Sequence, residues 1–556
     1  MRIYLADLGH NLLTRSSDIY PLGIANLATW AKAHHVGGEL DIRLYREPED
    51  LKAALDDTAP DILALANYAW NNRLARQFAG YAKKKNRQTL TVFGGPNWPL
   101  TLPEQESFLH EMCEFDVAVE GPTYEGERAF LEVVRRLHEV SGRYAGVFDG
   151  PIKGCAFLDP KTRQFVKGPE IGRIENLDEI PSPYLAGLLD PYFATGYFPM
   201  MQIARGCPFS CTFCNSGVAQ NSKIFAHSIE NVKADLDYVA KRVKPEITLC
   251  LADDNFGMYQ RDEEIADYLA HLQDKFGWPK YIRTTTGKNN KERIIRVMRK
   301  VHGAMPMTAA VQSMNPAVLK NIKRDNIKLE TYAAIQDELK SQGMQSYGEL
   351  ILSLPGETKA SFMKSVKDLL DAGAQRISAH QLMLLHGAEL SNPDSRERFG
   401  LETRWRLVAR NIGNYTGEPV SEVEEMVVAT PTFTYADYLD TRVFHLLLTI
   451  YYYESNFEEA FAWARLAGVS PFEAMTKLHA LVAEAPPELR RVIDEFVRES
   501  EEELFHSADD CLAWAQAHYD GLVSGEVGDN LLSKYSMIGR FYVLGPALEF
   551  LERGLR

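Results

Sequence analysis

Three cysteines, Cys207, Cys211 and Cys214, stand close together in ARGCPFSCTFCNSG (204–217), while the other four cysteines of the chain are scattered singly. The spacing C-x3-C-x2-C directly follows FPMMQIA (198–204), an apolar run that reads as a strand. Three thiolates on one short loop suit three corners of a cubane iron–sulfur cluster and leave the fourth iron open to another ligand. A zinc site usually draws on two C-x2-C pairs, and the sequence has no second pair. A three-ligand zinc site and three buried thiols without metal both stay open at this point. Gly206 and Pro208 keep the loop compact. Cys250 lies in a strand-like run and reads as core, and Cys113, Cys155 and Cys511 have no spacing partner and read as ordinary thiols.

The chain that carries this loop has 556 residues, 45% of them apolar and 25% charged, which is the composition of a soluble enzyme with several domains. Its opening, MRIYLADLGHN, has Asp7 where a secretory segment would be apolar. Its longest apolar run, VFHLLLTIYYY (443–453), is too short to span a bilayer. The expectation is a cytoplasmic protein without a membrane partner. A net charge of −15 argues against nucleic acid as a main partner, and KKKNR (83–87) reads as a solvated helix end. Seven cysteines in such a chain do not read as disulfides.

Periodicity gives the elements that must position the loop. Residues 1–145 alternate strand-like runs (2–7, 40–45, 61–66, 89–95, 115–121) with helical spacing at 24–34, 50–57 and 73–85, which predicts a parallel, doubly wound Rossmann-like sheet. Such sheets bind ligands at the carboxyl ends of their strands. Residues 146–197 read as an irregular linker. From 198 to 400 six further strand-like runs (198–204, 246–252, 280–286, 305–312, 345–352, 376–384) alternate with helices such as 228–243 and 359–373, predicting a partial (β/α)6 barrel of TIM type. Residues 401–556 read as a mainly helical C-terminal domain, so the fold class is α/β with a helical tail.

C-P-F-S-C-T-F-C at the end of the first strand of a partial barrel resembles the radical S-adenosylmethionine (SAM) superfamily. That resemblance implies a [4Fe-4S] cluster on Cys207, Cys211 and Cys214, with SAM chelated at the open iron and Phe213 lining the adenine site through its backbone. LADDNFGM (251–258) resembles the acidic element after the second strand and brings in Asp253 and Asp254. VQSMNPAVLKNIKRDN (311–326) is similar to the strand-four signature and turns Gln312 and Ser313 toward SAM. YGELILSLPGET (347–358) resembles the strand-five segment, with Glu349 toward SAM or substrate. QLMLLHGAEL (381–390) resembles the strand-six turn, with His386 in place of the usual proline. Each residue also has a plainer reading: Asp253 and Asp254 as turn caps, Glu349 as a hydrogen-bond partner, His380 and His386 as satisfied polar groups.

A Rossmann-like domain ahead of such a barrel resembles the cobalamin-binding members of the superfamily. YPLGIANLATWAK (20–32), PDILALANYAWNN (60–72), VFGGPNWP (92–99) and VAVEGPTYEGERAF (117–130) match in order and bring in Tyr68, Trp70, Gly94, Gly95, Trp98, Glu120 and Gly121 as cofactor-binding candidates. Gly94 and Gly95 after a strand allow close backbone approach to a bulky ligand, and Tyr68, Trp70 and Trp98 offer flat apolar surface to a corrin. The Asp-x-His-x-x-Gly signature of a lower histidine ligand does not occur in the sequence, which implies cobalt without a protein histidine beneath it. No G-x-G-x-x-G opens the first helix, which weighs against NAD or FAD.

The resemblance implies a methyltransferase that moves a methyl group from methylcobalamin to an unactivated carbon of a small-molecule biosynthetic intermediate through a 5′-deoxyadenosyl radical. It also implies an external electron donor of flavodoxin or ferredoxin type. The alternatives are a non-methylating enzyme with the same cofactors (oxidation, cyclisation or ring rearrangement) and a non-catalytic iron–sulfur protein. No catalytic acid or base is assigned. Tyr438, Arg442 and His445 share one helical face in the tail and read as packing or as polar substrate contacts.

Overall fold

The computed structural model describes all residues except 121–124, 288, 327, 342–345, 454–456 and 556, and side chains except also those of 307–309, 337–341 and 346. The chain divides into two compact units: Met1–Met305 with Leu385–Asn392 and Arg410–Val423, and Pro306–Leu384 with Pro393–Ala409 and Glu424–Arg556.

In the first unit, five parallel strands β1 (Arg2–Ala6), β2 (Asp41–Tyr45), β3 (Ile62–Ala66), β4 (Leu90–Gly94) and β5 (Val117–Val119) lie in the order β2-β1-β3-β4-β5. The helices are α1 (Leu22–His34), α2 (Pro48–Asp57), α3 (Asn72–Lys85), α4 (Leu102–Glu111) and α5 (Glu127–Glu139). Successive strand residues face opposite sides. Ile3, Leu5, Ile62 and Ala64 therefore join one core with residues of α1 and α5, while Tyr4, Ala6, Leu63 and Leu65 join a second with α2, α3 and α4. Burial on both faces is why β3 reads ILALA, continuously apolar rather than alternating.

The segment 146–197, read as an irregular linker, contains two strands. β6 (Cys155–Leu158) and β7 (Phe165–Lys167) extend the same sheet antiparallel beyond β5. CAFL is too short to show alternation, which hid it among the turn residues.

Next come β8 (Met200–Met201), β9 (Ala204–Arg205), β10 (Phe225–Ala226), α6 (Ile229–Ala240), β11 (Leu249–Leu251), α7 (Gln260–Phe276), β12 (Ile282–Arg283) and α8 (Lys291–Lys300). β8, β11 and β12 form a parallel three-stranded sheet, and β9 pairs antiparallel with β10.

The second unit carries another parallel three-stranded sheet, β13 (Met307–Gln312), β14 (Ser346–Leu352) and β15 (Ile377–Gln381), with α9 (Pro316–Asn321), α10 (Leu329–Ser341), α11 (Lys359–Asp371) and α12 (Pro393–Phe399). The apolar run 443–453 falls on α13 (Tyr435–Tyr451), opened by a capping box of Thr434 and Asp437. Val443, Phe444, Leu446, Leu447 and Ile450 are buried in a core shared with Leu350 and Leu352 of β14, Phe362, Val366 and Leu369 of α11 and later helices. A helix apolar on nearly all sides is here a core helix, not a membrane span. Among the described residues no helix is long and apolar enough to cross a membrane.

The expectation of a mainly helical domain from 401 needs one correction. Residues 402–429 form a long hairpin, β16 (Glu402–Asn414) and β17 (Pro419–Ala429), turned at Gly417, whose N–H donates to Asn414 Oδ1 at 3.1 Å. NYTGE (414–418) between two β-branched, alternating runs is the hairpin signal in the sequence. The part of β17 in the first unit supplies Glu422, whose carboxylate accepts from the N–H groups of Arg73 (3.0 Å) and Leu74 (2.9 Å) in the first turn of α3. It takes the place of a local side-chain cap, which α3 lacks.

Candidate functional site

The three cysteines lie on a loop that closes on itself just after β9. Gly206 has φ +113°, and a Cβ there would lie 2.5 Å from Lys223 O and 2.7 Å from Asn221 O. Cys207 N donates to Asn221 O at 2.9 Å, Cys214 N to Cys211 O at 3.2 Å and Gly217 N to Cys214 O at 2.9 Å. A Cβ at Gly217 would sit 2.2 Å from Cys211 O, so the loop's two arms touch backbone to backbone. Cys207 and Cys211 are buried and Cys214 and Phe213 half-buried. Asn255 Nδ2 donates to Cys207 Sγ at 3.3 Å. Among the described residues no three Cys, His, Asp or Glu side chains converge on one ion-sized point. A cubane asks for something else, since each thiolate takes its own iron. A closed loop with three thiols, two of them out of water, fits that group.

Asp253 and Asp254, at the end of β11, brace this loop. Asp253 accepts from Ile203 N (3.0 Å) and Ala204 N (2.7 Å), while burial pushes its carboxyl up to about 7. Asp254 Oδ1 accepts from Ser216 Oγ at 3.3 Å. Asp253 thus holds the chain that leads into the cysteine loop and Asp254 the arm that leaves it.

In the same unit a cavity of about 350 Å³ lies where a switch-point site belongs, at the carboxyl ends of β1, β3, β4 and β5. Its wall includes Asp7, Asn26, Tyr68, Trp70, Gly94, Gly95, Val119 and Glu127, with Met200, Gln202, Arg205 and Ala252 from the following strands. Gly95 has φ +135°, and a Cβ there would lie 2.5 Å from Asn67 O. The rings of Tyr68 and Trp70 stack at 4.4 Å and 12°. Burial raises the Tyr68 hydroxyl. No histidine is among the described residues lining the cavity. A flat stacked pair, glycine strand ends and a few amides and carboxylates at the edge suit a flat, largely apolar ring with a polar rim, so the lining fits a corrin.

Two of the sequence candidates point elsewhere. Trp98 does not line this cavity: its ring packs against Phe93 (5.7 Å) and Phe108 (5.9 Å). Glu120 pairs with Lys167 at 3.0 Å, and burial raises its carboxyl against the pull of Lys167 and Trp98. Gly121 lies outside the described residues.

Periodicity missed the most buried polar group of the wall. Arg205 holds Glu127 through Nη2–Oε1 at 2.6 Å and Nη1–Oε2 at 3.2 Å, and its Nε donates to Gln202 Oε1 at 2.7 Å. An arginine two residues before the first cysteine of the motif was the available signal.

In the second unit the ends of two neighbouring strands are strained. The β13–β14 register shifts between Ala310 and Gln312, and Gln312 adopts φ +64°. Ser353, just after β14, adopts φ +63°. Both are buried, and Gln312 Oε1 and Ser353 Oγ have no hydrogen-bond partner among the described residues. Left-handed residues other than glycine cluster at binding and active sites, and a buried polar atom without a partner calls for a specific explanation. Ser313 Oγ donates to Glu357 Oε2 at 2.7 Å, and burial raises the Glu357 carboxyl. Glu349 Oε1 lies 3.8 Å from His380 Nε2. Ser353 and Glu357 were not singled out from sequence, although they flank Leu354-Pro355-Gly356. In the tail, Arg442 and His445 border a cavity of about 970 Å³, where Arg442 donates to Glu503 Oε1 at 2.6 Å and burial pushes His445 down to about 4. Tyr438 is core, its hydroxyl donating to Gln381 Oε1 at 2.8 Å.

Residues 201–369 match the model of the radical SAM superfamily, the class that the cysteine loop and flanking strands define. The chain is 32% identical over 403 residues to the cobalamin-dependent radical SAM methyltransferase TokK of Streptomyces tokunonensis, covering 69% of this chain and 56% of that one. It is 32% identical over 406 residues to 2-(S-pantetheinyl)-carbapenam-3-carboxylate methyltransferase of Streptantibioticus cattleyicolor, covering 70% and 56%. The chain thus spans little more than half the length of these relatives. Its fold matches the solved cobalamin-dependent radical enzyme OxsB with a TM-score of 0.55 at 13% identity, over 99% of this chain and 80% of that one. This likeness carries the α/β architecture of Rossmann-like sheet, partial barrel and helical C-terminal part. Together these likenesses support a cobalamin-dependent radical SAM family for this chain.

Proposed function

We propose that this protein is a cobalamin-dependent radical SAM methyltransferase acting on an unactivated carbon of a small-molecule intermediate. The observation that carries the reading is the presence, in one unit, of a closed three-thiol loop and a glycine-walled cavity with a stacked aromatic pair at the switch point.

Cys207, Cys211 and Cys214 would hold a [4Fe-4S] cluster, with Asn255 donating to the Cys207 sulfur. Tyr68, Trp70, Gly94 and Gly95 would face the corrin. Gln312, Ser313 and Glu349 are assigned to SAM, with Phe213 contributing its backbone, and Ser353 joins them on the strength of its strained backbone and a buried hydroxyl with no partner among the described residues. When bound, the cluster with SAM supplies a hydrogen-abstracting radical and the corrin a transferable methyl group. The chain's own share is orientation and exclusion of water: buried Cys207 and Cys211 sit out of solvent, Asp253 and Asp254 fix the loop, and the Arg205–Glu127 pair fixes the cavity wall. The family resemblance implies that an external flavodoxin- or ferredoxin-type donor would supply the electron. A small carboxylated intermediate, the kind of molecule named for the S. cattleyicolor relative, is the substrate class assigned.

Anaerobic reconstitution with iron, sulfide and hydroxocobalamin, followed by desalting and metal analysis, tests the reading. About four irons and one cobalt per chain are expected. Four irons without cobalt would remove the methyl carrier, and zinc in place of iron would overturn the proposal.

A further inference from the structure

Asn215 follows Cys214 directly, and its side chain ties together three segments far apart in sequence. Asn215 Nδ2 donates to Pro96 O at 2.9 Å and to His386 O at 2.6 Å, so both amide hydrogens are engaged. Pro96 follows Gly95 and itself lines the cavity. His386 belongs to the turn after β15 that lies in the first unit. Two further contacts close the ring. Gly387 has φ +81°, and a Cβ there would meet Pro96 O and Trp98 O at 2.8 Å, so the turn rests flat on the loop that follows Gly95. Leu390 N donates to Thr212 O at 2.8 Å, tying the turn's far end to the cysteine loop. The His386 ring packs on Phe108 at 5.0 Å.

Cysteine loop, cavity wall and turn therefore form a closed circuit in which the Asn215 side chain touches all three. Neither alanine nor aspartate could replace it: alanine has no donor, and a carboxylate would face two carbonyl oxygens.

We propose that Asn215 is a positioning residue, clamping the cysteine loop to the cavity wall so that what the thiols hold and what the cavity holds keep a fixed separation. The inference rests on the cofactor assignment above. Its physical motive is that reactions between two bound groups lose rate steeply with misplacement of about 1 Å.

The test compares wild type with Asn215→Ala, Asn215→Asp and Asn215→Gln, each reconstituted anaerobically with iron, sulfide and hydroxocobalamin and then reduced. Iron and cobalt per chain are measured, together with the distribution of distances between the reduced cluster and paramagnetic cobalt by pulsed electron paramagnetic resonance. The expected result is wild-type metal content in every variant, a distribution broadened about twofold or more for alanine and aspartate, and partial recovery with glutamine, which keeps the donor. An unchanged distribution in the alanine and aspartate variants would overturn the proposal. So would broadening that appears only with loss of iron or cobalt, since Asn215 would then serve folding of the loop alone. Gly387→Ala, which pushes the turn off the wall while keeping the Asn215 amide, carries the same expectation if the Asn215 variants do not fold. Wild type that takes up neither metal would sink the cofactor assignment and this inference with it, and is told apart because wild type and variants then fail alike.

Discussion

Arg205 and Glu127 form a two-nitrogen, two-oxygen ion pair, at 2.6 and 3.2 Å, with both side chains almost wholly buried. Arg205 ends β9 just before the cysteine loop, and Glu127 opens α5 and walls the cavity. A bidentate pair shielded from water holds its geometry well, but it makes each partner hostage to the other. Glu127→Ala leaves a buried guanidinium uncompensated, which costs about 3–5 kcal/mol. The expected outcome is an unfolding free energy lower by that amount in urea titration, with poorer cobalamin retention on gel filtration. A loss below about 1 kcal/mol would mean that water reaches Arg205 in the variant.

The cavity wall gives a prediction with two independent arms. Trp70 is 43% exposed yet stacked on Tyr68, so it is free to offer its outer face. Trp70→Ala is expected to weaken hydroxocobalamin binding about 3- to 10-fold, the worth of one stacked ring, without lowering iron content. Gly95→Ala acts differently, because φ +135° and a 2.5 Å approach to Asn67 O leave no room for a methyl. It is expected to abolish cobalamin retention. Equilibrium titration followed by absorbance checks both, and unaltered affinity in the two variants would move the corrin site elsewhere.

Much of this was legible in the sequence, and what was not has physical reasons. Parallel strands buried on two faces are continuously apolar and bounded by turns, so β1 to β4 stand out. Short β6 and β7 carry too few residues for a period, and β16 and β17 were masked by the helical pattern that follows them. The thiol loop was readable because its three cysteines are local. The groups that brace it, Asp253, Asn255 and Asn215, do so through contacts with residues far away in sequence, and no spacing shows that. Trp98 shows the opposite failure: an aromatic near a strand-end glycine reads as a ligand face, but the ring turned inward onto Phe93 and Phe108.

The thiols themselves allow a sharp test. Cys211 is buried, with its carbonyl taking Cys214 N and its backbone against Gly217, so a smaller side chain there fits without moving the loop. Cys211→Ala is therefore expected to fold, to bind cobalamin as wild type does, and to lose most of the roughly four irons of a full cubane. Production of 5′-deoxyadenosine under strong reductant should fall below detection. Retained deoxyadenosine would remove Cys211 from the ligand set.

Titration offers a prediction whose sign is fixed by burial. Asp235 on α6 accepts from Ser182 Oγ at 2.5 Å, and burial nevertheless pushes its carboxyl up to about 6. In the unfolded chain the same group ionises near 4. The folded state thus holds a proton that the unfolded state releases, so this group's contribution is complete below about pH 4 and is lost as pH rises through 6. A shift of about two units corresponds to at most about 3 kcal/mol. Asp235→Asn never ionises and should match wild type at pH 4 but exceed it in urea midpoint at pH 7 to 8. His445 runs the other way. Burial lowers it to about 4, so its contribution is present above about pH 6.5 and lost as pH falls toward 4. The stability gap between wild type and His445→Gln should therefore shrink on acidification, whereas that between Asp235→Asn and wild type shrinks in the same direction for the opposite reason. Urea midpoints at whole pH values from 4 to 8 separate the two, and a pH-independent difference for Asp235→Asn would show that its carboxylate is solvated in the folded state.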